Sequence, residues 1–324
     1  MVMSESTDLF QSEKLSHSCR EAQLRAQTGG YGLGTHRVAA LLACHNRKEM
    51  TIRSLASLYA ARDRSPGLQL RVFLTDDGST DGTGEAVRAF DPEIQIIEGP
   101  GDLYWNRGMV AAWRAALESG EKYDTFLLLN DDTVLDPQAF NLLLRTREKV
   151  DTSAILVGAV RHPRREGITY GGVRRTSPWH PGRTALVPLS TEFEDADSFN
   201  ANCALVPVSC VERIGILDPL FTHAMGDFDY GLRACQAGVR VVVVPGTVGT
   251  CATNDITGSW RDPSLPLRQR LRLLNSPKGL PYTEWREYLR RHGAPIPSLL
   301  AFAPRVSVIW DWVKFMGKDR WLKT

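Results

Sequence analysis

Three short acidic segments stand where carboxylates could do chemistry. Asp76-Asp77-Gly78-Ser79-Thr80-Asp81-Gly82 follows an apolar run. Asp, Gly and Ser suit a turn in any case, yet a turn needs no pair of adjacent carboxylates. A carboxylate there can accept hydrogen bonds from the N–H of a base and from ribose hydroxyls. Leu127-Leu128-Leu129 runs straight into Asn130-Asp131-Asp132. Like charges at a buried strand end raise each other's energy unless a cation joins them. Hard oxygen ligands suit Mg²⁺ or Mn²⁺, which also hold phosphates. Capping the helix before Pro137 is the plainer use for them, but Asp136 suffices for that. Met225-Gly226-Asp227-Phe228-Asp229 opens a helical pattern. The helix dipole would stabilise both acids, and a helix start also fixes a carboxylate that takes a proton from an attacking hydroxyl.

The elements that must position these groups read as alternating strands and helices. Strands are expected at Val38 to Cys44, Leu70 to Thr75, Ile94 to Ile97, Thr125 to Leu129 and Ala154 to Val160, and again at Ala201 to Val206 and Val239 to Val244. Helices are expected at Glu49 to Ala61, near Gly84 to Phe90, at Met109 to Glu118, from Asp136-Pro137 onward, and at Asp227 to Ala237. In the first of these, Ile52, Leu55, Ala56 and Tyr59 would form the apolar face. Asp136 would cap its helix, with Pro137 at the first helical position. Apolar strands alternating with helices predict an α/β fold, a mostly parallel sheet with helices on both faces. Ligands of such sheets bind at the carboxyl ends of the strands, where the first two acidic segments lie. Residues 1–35 read as a flexible arm, 36–260 as the α/β domain, with a change of character at about 160, and 261–324 as a helical C-terminal appendage.

Composition narrows the class. A net charge of +2 over 324 residues does not fit a nucleic-acid binder. The six cysteines, Cys19, Cys44, Cys203, Cys210, Cys235 and Cys251, form no CxxC pair, which argues against a structural zinc site. Free thiols, no apolar run of about 20 residues and no signal-peptide core point to a cytoplasmic protein.

Taken in order, the motifs resemble those of family 2 inverting glycosyltransferases of the GT-A fold, a Rossmann-like architecture, between about Arg37 and Cys251. Ala43-Cys44-His45-Asn46-Arg47 is similar to that family's first-strand motif beside the nucleotide. The resemblance implies that Asp77 holds the donor base, with Asp76 beside it, and that the loop with Trp105 and Asn106 lines the donor pocket. It makes Asn130-Asp131-Asp132 the DXD-like motif. Asp132 would then be the main metal ligand, and Asp131 would contact ribose or support the metal, Mn²⁺ or Mg²⁺. Asp227 matches the catalytic base. Two departures stand out. Gly226 replaces the usual acid before the base, with Asp229 as a compensating carboxylate. Cys251 stands near the place of a metal-binding His, and His223 lies just before the base motif; ligation by either stays open.

The implied activity is metal-dependent, inverting transfer from a UDP- or dTDP-linked sugar to a glycan or polyprenyl-linked acceptor, of the bacterial cell-surface polysaccharide type. A catalytically inactive sugar-nucleotide or glycan binder is the alternative. The arginines at 161, 164, 165, 174, 175 and 183 read as a solvated hairpin or as an acceptor-phosphate site. In the tail, Trp310, Trp312, Phe315 and Trp321 alternate with Lys314, Lys318 and Arg320. That pattern suits a peripheral helix at the inner membrane face, a tail docked on the core, or a dimer contact.

Overall fold

The computed structural model describes residues 35–253 and 255–321, with side chains as far as 314. Apart from Thr35, the expected N-terminal arm lies outside the described residues, as does Cys19. The eight strands of the main sheet, numbered along the chain, are β1 (His36–Cys44), β2 (Leu68–Asp76), β3 (Gln95–Glu98), β4 (Thr125–Leu129), β5 (Ile155–Val157), β6 (Glu194–Ala196), β7 (Cys203–Pro207) and β8 (Val241–Val243). Their spatial order is β6-β8-β5-β7-β4-β1-β2-β3. β1 with β4, β2 with β3, and β8 with β5 pair parallel, while β7 runs antiparallel between β4 and β5, and β6 antiparallel beside β8. Antiparallel β7 brings its leading end, residues 200–202, to the same edge at which β1, β2 and β4 finish.

The helices are α1 (Lys48–Asp63), α2 (Thr83–Phe90), α3 (Tyr104–Glu118), α4 (Ala139–Arg147), α5 (Val208–Ile214), α6 (Gly226–Gln236), α7 (Leu267–Leu274), α8 (Tyr282–Arg291) and α9 (Pro297–Trp321). Strand alternation sorts the core into two layers. Ala39, Leu41, Phe126 and Leu128 face α3 and α6 with Trp113 and Tyr230; Val38, Ala40, Leu42, Leu127 and Leu129 face α1 and α4 with Leu55, Leu58 and Phe140. Fully burying each large apolar side chain contributes roughly 1.5–3 kcal/mol, and with both faces covered Val38–Cys44 and Phe126–Leu129 carry apolar side chains on both sides. A third cluster joins Phe221 and Leu232 to Trp285, Tyr288, Leu289 and Ala301 of α8 and α9. The C-terminal helices are thereby packed on the segment that carries Phe221 and Leu232.

Several local expectations shift. α1 buries Thr51, Ser54, Leu55, Leu58 and Ala61, leaving Ala56 exposed, because the Ser54 hydroxyl donates to the Asn130 carbonyl at 3.2 Å. α4 begins at Ala139, not at Pro137, and Asp136 does not cap it with its side chain; that carboxylate instead takes both Nη atoms of Arg161, at 2.6 and 3.0 Å. The expected fifth strand stops at Val157, and Val160–Arg161 joins a separate small sheet. Ile168–Tyr170 and Gly172–Arg175 belong to two different small sheets and do not pair as one hairpin.

Candidate active site

The site is built where β1, β2 and β4 end. The Asp77 amide donates to the Cys44 carbonyl at 2.9 Å, continuing the β1–β2 contact into the loops. His45 Nδ1–H donates to the Asp77 carbonyl, which leaves Nε2 to accept from Asn46 Nδ2 at 3.1 Å. Asn46 clamps the two loops: its amide donates to Ser79 Oγ at 2.9 Å and its Oδ1 accepts from the Thr80 amide at 2.8 Å. Ala43 must be small because α3 crosses close above it; a Cβ on Gly108 would lie 2.9 Å from the Ala43 methyl.

Asp76 and Asp77 do different work. Asp77, 3% exposed, accepts from the Gly101 amide through Oδ1 at 2.8 Å and from the Tyr104 amide through Oδ2 at 2.9 Å. It shapes the loop that starts α3. Asp76 accepts only the Ser79 amide, through Oδ1 at 3.1 Å, among the described residues. Asp76 is therefore the one with unused acceptor capacity. Trp105 and Asn106 follow this loop. The Trp105 indole donates to Asn130 Oδ1 at 2.8 Å, tying the loop to the end of β4. Asn106 is fully buried and its Nδ2 donates to the carbonyls of Asp218 and Phe221, at 2.8 and 2.6 Å.

Asp131 and Asp132 converge on one cation already present, the Arg47 guanidinium, whose Nη1 lies 3.3 Å from Asp131 Oδ1 and 2.8 Å from Asp132 Oδ2. Burial pushes Asp131 up to about 7, against the pull of Arg47. On its other oxygen Asp132 accepts the Cys251 thiol at 3.3 Å; burial and the Asp132 charge push that thiol up to about 12. Cys251 is thus beside the acidic pair but held as a neutral thiol. His223 is turned to the donor loop, where Nδ1 accepts the Trp105 amide at 3.4 Å. Burial and the Lys278 and Arg47 charges hold it down to about 4. Among the described residues no three His, Cys, Asp or Glu side chains gather as a ready metal cage. Two convergent carboxylates already balanced by a positive group nevertheless fit a hard cation whose remaining ligands come from phosphate and water.

Asp227 sits at the start of α6. Its Oδ2 accepts the Ala201 amide at 3.2 Å and Oδ1 the Phe228 amide at 2.9 Å. No cation pairs with it among the described residues, and burial pushes it up to about 6 against those two hydrogen bonds. The next residue along, Asn202, joins the two acidic centres. Its carbonyl accepts the Asn130 amide at 3.4 Å and its Nδ2 donates to Cys251 Sγ at 3.4 Å. Asn202 falls inside the strand expected at Ala201 to Val206, and only the observed start at Cys203 frees it for this role. Asp229 goes elsewhere. It is fully buried, with Arg233 Nε at 2.8 Å, His292 Nε2 at 3.0 Å and Arg291 Nη1 at 3.3 Å. That arrangement does not support the expected role as a second catalytic acid. Burial alone would raise Asp229, but the His292 hydrogen bond and the Arg233 charge outweigh it and hold the carboxyl down. Gly226 also has a structural reason: a Cβ there would meet Asn106 Oδ1 at 1.8 Å. The Asn106 carboxamide fills the space an acid would need.

Among the described residues three non-glycines have positive φ, namely Asn46 (51°), Tyr104 (56°) and Met225 (70°). Each stands at the entry to a segment just described. Strained backbone of this kind costs on the order of 1–3 kcal/mol per residue and gathers at functional sites.

Residues 40–201, half of the chain, match the sequence profile of Glycosyl transferase family 2. The chain belongs to this family. It is a glycosyltransferase that uses a nucleotide sugar. An N-acetylglucosaminyl-diphospho-decaprenol L-rhamnosyltransferase of Mycobacterium tuberculosis is 26% identical over 216 residues, covering 60% of this chain and 68% of that one. Two solved structures are similar to it over most of its length. A Pyrobaculum calidifontis mannosyltransferase in complex with GDP-Man and Mn²⁺ is 17% identical, covers 84% of this chain and 75% of its own, and has a TM-score of 0.48. S. aureus TarS 1-349 in complex with UDP is 15% identical, covers 86% and 80%, and has a TM-score of 0.49.

Proposed function

We propose that this glycosyltransferase moves a sugar from a UDP- or dTDP-linked donor to a hydroxyl of a lipid-linked glycan, with inversion at the anomeric carbon. The observation that carries this reading is the joint suspension of Asp227 and the Asn130-Asp131-Asp132 turn from the neighbouring residues Ala201 and Asn202. A proton acceptor thereby lies beside an anionic site fit for a diphosphate-bound cation. Asp132 and Asp131 would hold Mn²⁺ or Mg²⁺, which when bound supplies charge neutralisation for the departing diphosphate. His45, Asn46 and Asp77 fix the donor loops, Asp76 offers the acceptor for the base, and Trp105 and Asn106 hold the pocket wall. Asp227, ionised above about 6, takes the proton of the acceptor hydroxyl as its oxygen attacks from the face opposite the diphosphate. One displacement inverts the centre, and no enzyme nucleophile is required. A lipid-linked acceptor follows the name of the mycobacterial relative.

A panel of nucleoside diphosphates and sugar nucleotides, with and without Mn²⁺, tests this through thermal stability. Ligand at about 100 times Kd adds about 2.7 kcal/mol. Metal-dependent stabilisation by UDP or dTDP, lost in Asp132→Ala, is expected. No response to any nucleotide would favour an inactive binding protein, a reading supported by Gly226 in place of an acid and Cys251 in place of a His.

The acceptor's lipid gives α9 a role. No helix among the described residues is long and apolar enough to cross a membrane. Yet α9 exposes Leu299, Phe302, Val306, Ile309, Trp310 and Val313, spaced as one stripe, with Lys314 over the Trp310 ring. The basic end of this helix and its apolar stripe suit an anionic bilayer surface in the cytoplasm. Flotation of the full chain with anionic vesicles, lost on replacing Phe302 and Trp310 by Ser, is the expected result; equal flotation of both would remove this role.

A further inference from the structure

We propose that Arg47 is an exchangeable counter-cation: it neutralises Asp131 and Asp132 while the donor site is empty, and passes to the donor's diphosphate when a divalent cation takes its place. The inference rests on the reading of the acidic pair as the cation site and goes beyond it, to how that site is kept and filled.

The root and the tip of Arg47 are in different situations. Its carbonyl accepts the Thr51 amide at 2.9 Å and so begins α1, and the preceding Asn46 is clamped to Ser79 and Thr80. The backbone is therefore fixed. The side chain is 40% exposed and, among the described residues, its polar atoms contact only the two carboxylates. The guanidinium can leave without disturbing the core. What it would leave behind is an Asp131 side chain only 9% exposed, next to a second carboxylate. Like charges placed this way need a cation or a shared proton, so a departure that leaves both carboxylates ionised is linked to replacement. A divalent ion and a guanidinium cannot both sit on the same two oxygens, because they repel at contact distance. A diphosphate resolves the conflict. It brings ligands for the ion and an oxygen pair that matches the planar fork of arginine.

The consequence is positive coupling. Cation and diphosphate each raise the affinity of the other, since neither alone can both fill the acidic pair and rehouse Arg47. The empty enzyme would hold a divalent ion poorly even though its carboxylates are in place.

Direct binding of Mn²⁺, read from the electron paramagnetic resonance of the free ion, tests this on the full chain, with UDP or dTDP as the nucleotide probe. In wild type, Mn²⁺ should bind weakly alone and at least tenfold more tightly with the nucleotide. In Arg47→Gln, binding without nucleotide should tighten about tenfold or more, and the enhancement by nucleotide should shrink to under threefold. Arg47→Lys, which keeps the charge, should stay near wild type. Asp132→Ala added to Arg47→Gln should abolish the gain, which places the ion on the acidic pair. Nucleotide-free binding in Arg47→Gln no tighter than in wild type overturns the exchange. If wild type still binds Mn²⁺ with nucleotide in that case, the metal-dependent reading survives alone; if no variant binds Mn²⁺ under any condition, both fall.

Discussion

The pocket end and the buried back of α6 carry the same chemical group two residues apart, in opposite states. Asp227 has two backbone amides and no cation among the described residues, and its carboxyl is pushed up to about 6. Asp229 has Arg233, Arg291 and His292 around it, and its carboxyl is held down. Asp227 is half-buried and Asp229 fully buried, so burial does not hold the second one down. The difference is the company each keeps, and it separates a carboxylate that can accept a proton near neutral pH from one that can only hold structure. The second also explains the C-terminal helices. Arg291 of α8 bridges Asp229 and Asp218, and Glu284 of the same helix accepts from the Thr222 amide and hydroxyl at 3.1 and 2.8 Å. α8 thus braces the two segments that flank Asp227.

The comparison can be broken at either carboxylate. Asp227→Asn keeps the shape and one hydrogen-bond acceptor but removes the base, so turnover should fall by about 10² to 10⁴ with donor binding and melting temperature near wild type. Asp229→Asn should do the reverse. Removing one partner of a buried ion cluster costs about 3–5 kcal/mol, so urea midpoints should drop sharply, while the turnover of whatever remains folded should change little. The same contrast appears in pH. Asp229 stabilises the fold above the ordinary carboxylate range, and this contribution is lost as pH falls through its lowered value. Asp227 must be ionised to act, so kcat/KM of wild type should fall as pH drops through about 6, at pH values where the fold is intact. A profile flat down to pH 4.5 would remove Asp227 from the base role. The smallest effect is expected at Gly226→Ala, where overpacking against Asn106 costs roughly 1–3 kcal/mol; adding Asn106→Ala should restore part of it, because the clash partner is gone.

Much of this was legible in the sequence, for a physical reason. A strand buried on both faces writes an unbroken apolar run, as Phe126–Leu129 does, and the polar residues that end it mark the sheet edge where a site can be built. The order of acidic segments along the chain resembles the family's, though that resemblance sets Asp77 on the donor base, and Asp77 is the one whose two oxygens take backbone amides. What the sequence hides is partnership. Nothing in Asp227-Phe228-Asp229 says that the second acid meets an arginine and a histidine more than sixty residues later. Asp136 looks like a cap until Arg161 is seen to take it. Arg47 reads as a nucleotide contact, and only the three-dimensional structure sets its guanidinium between Asp131 and Asp132. The expected face of α1 holds at Ile52, Leu55 and Tyr59 but not at Ala56, because Thr51 and Ser54 are also turned inward, which hydrophobicity alone does not record.

The central claim is a single displacement in which Asp227 acts as base and not as nucleophile. The most direct measurement is the anomeric configuration of the product, read by proton NMR of the first turnover from the donor that the stability panel identifies. The account predicts the anomer opposite to that of the donor. Retention of the donor's configuration would contradict it, since one attack from the face opposite the diphosphate cannot retain.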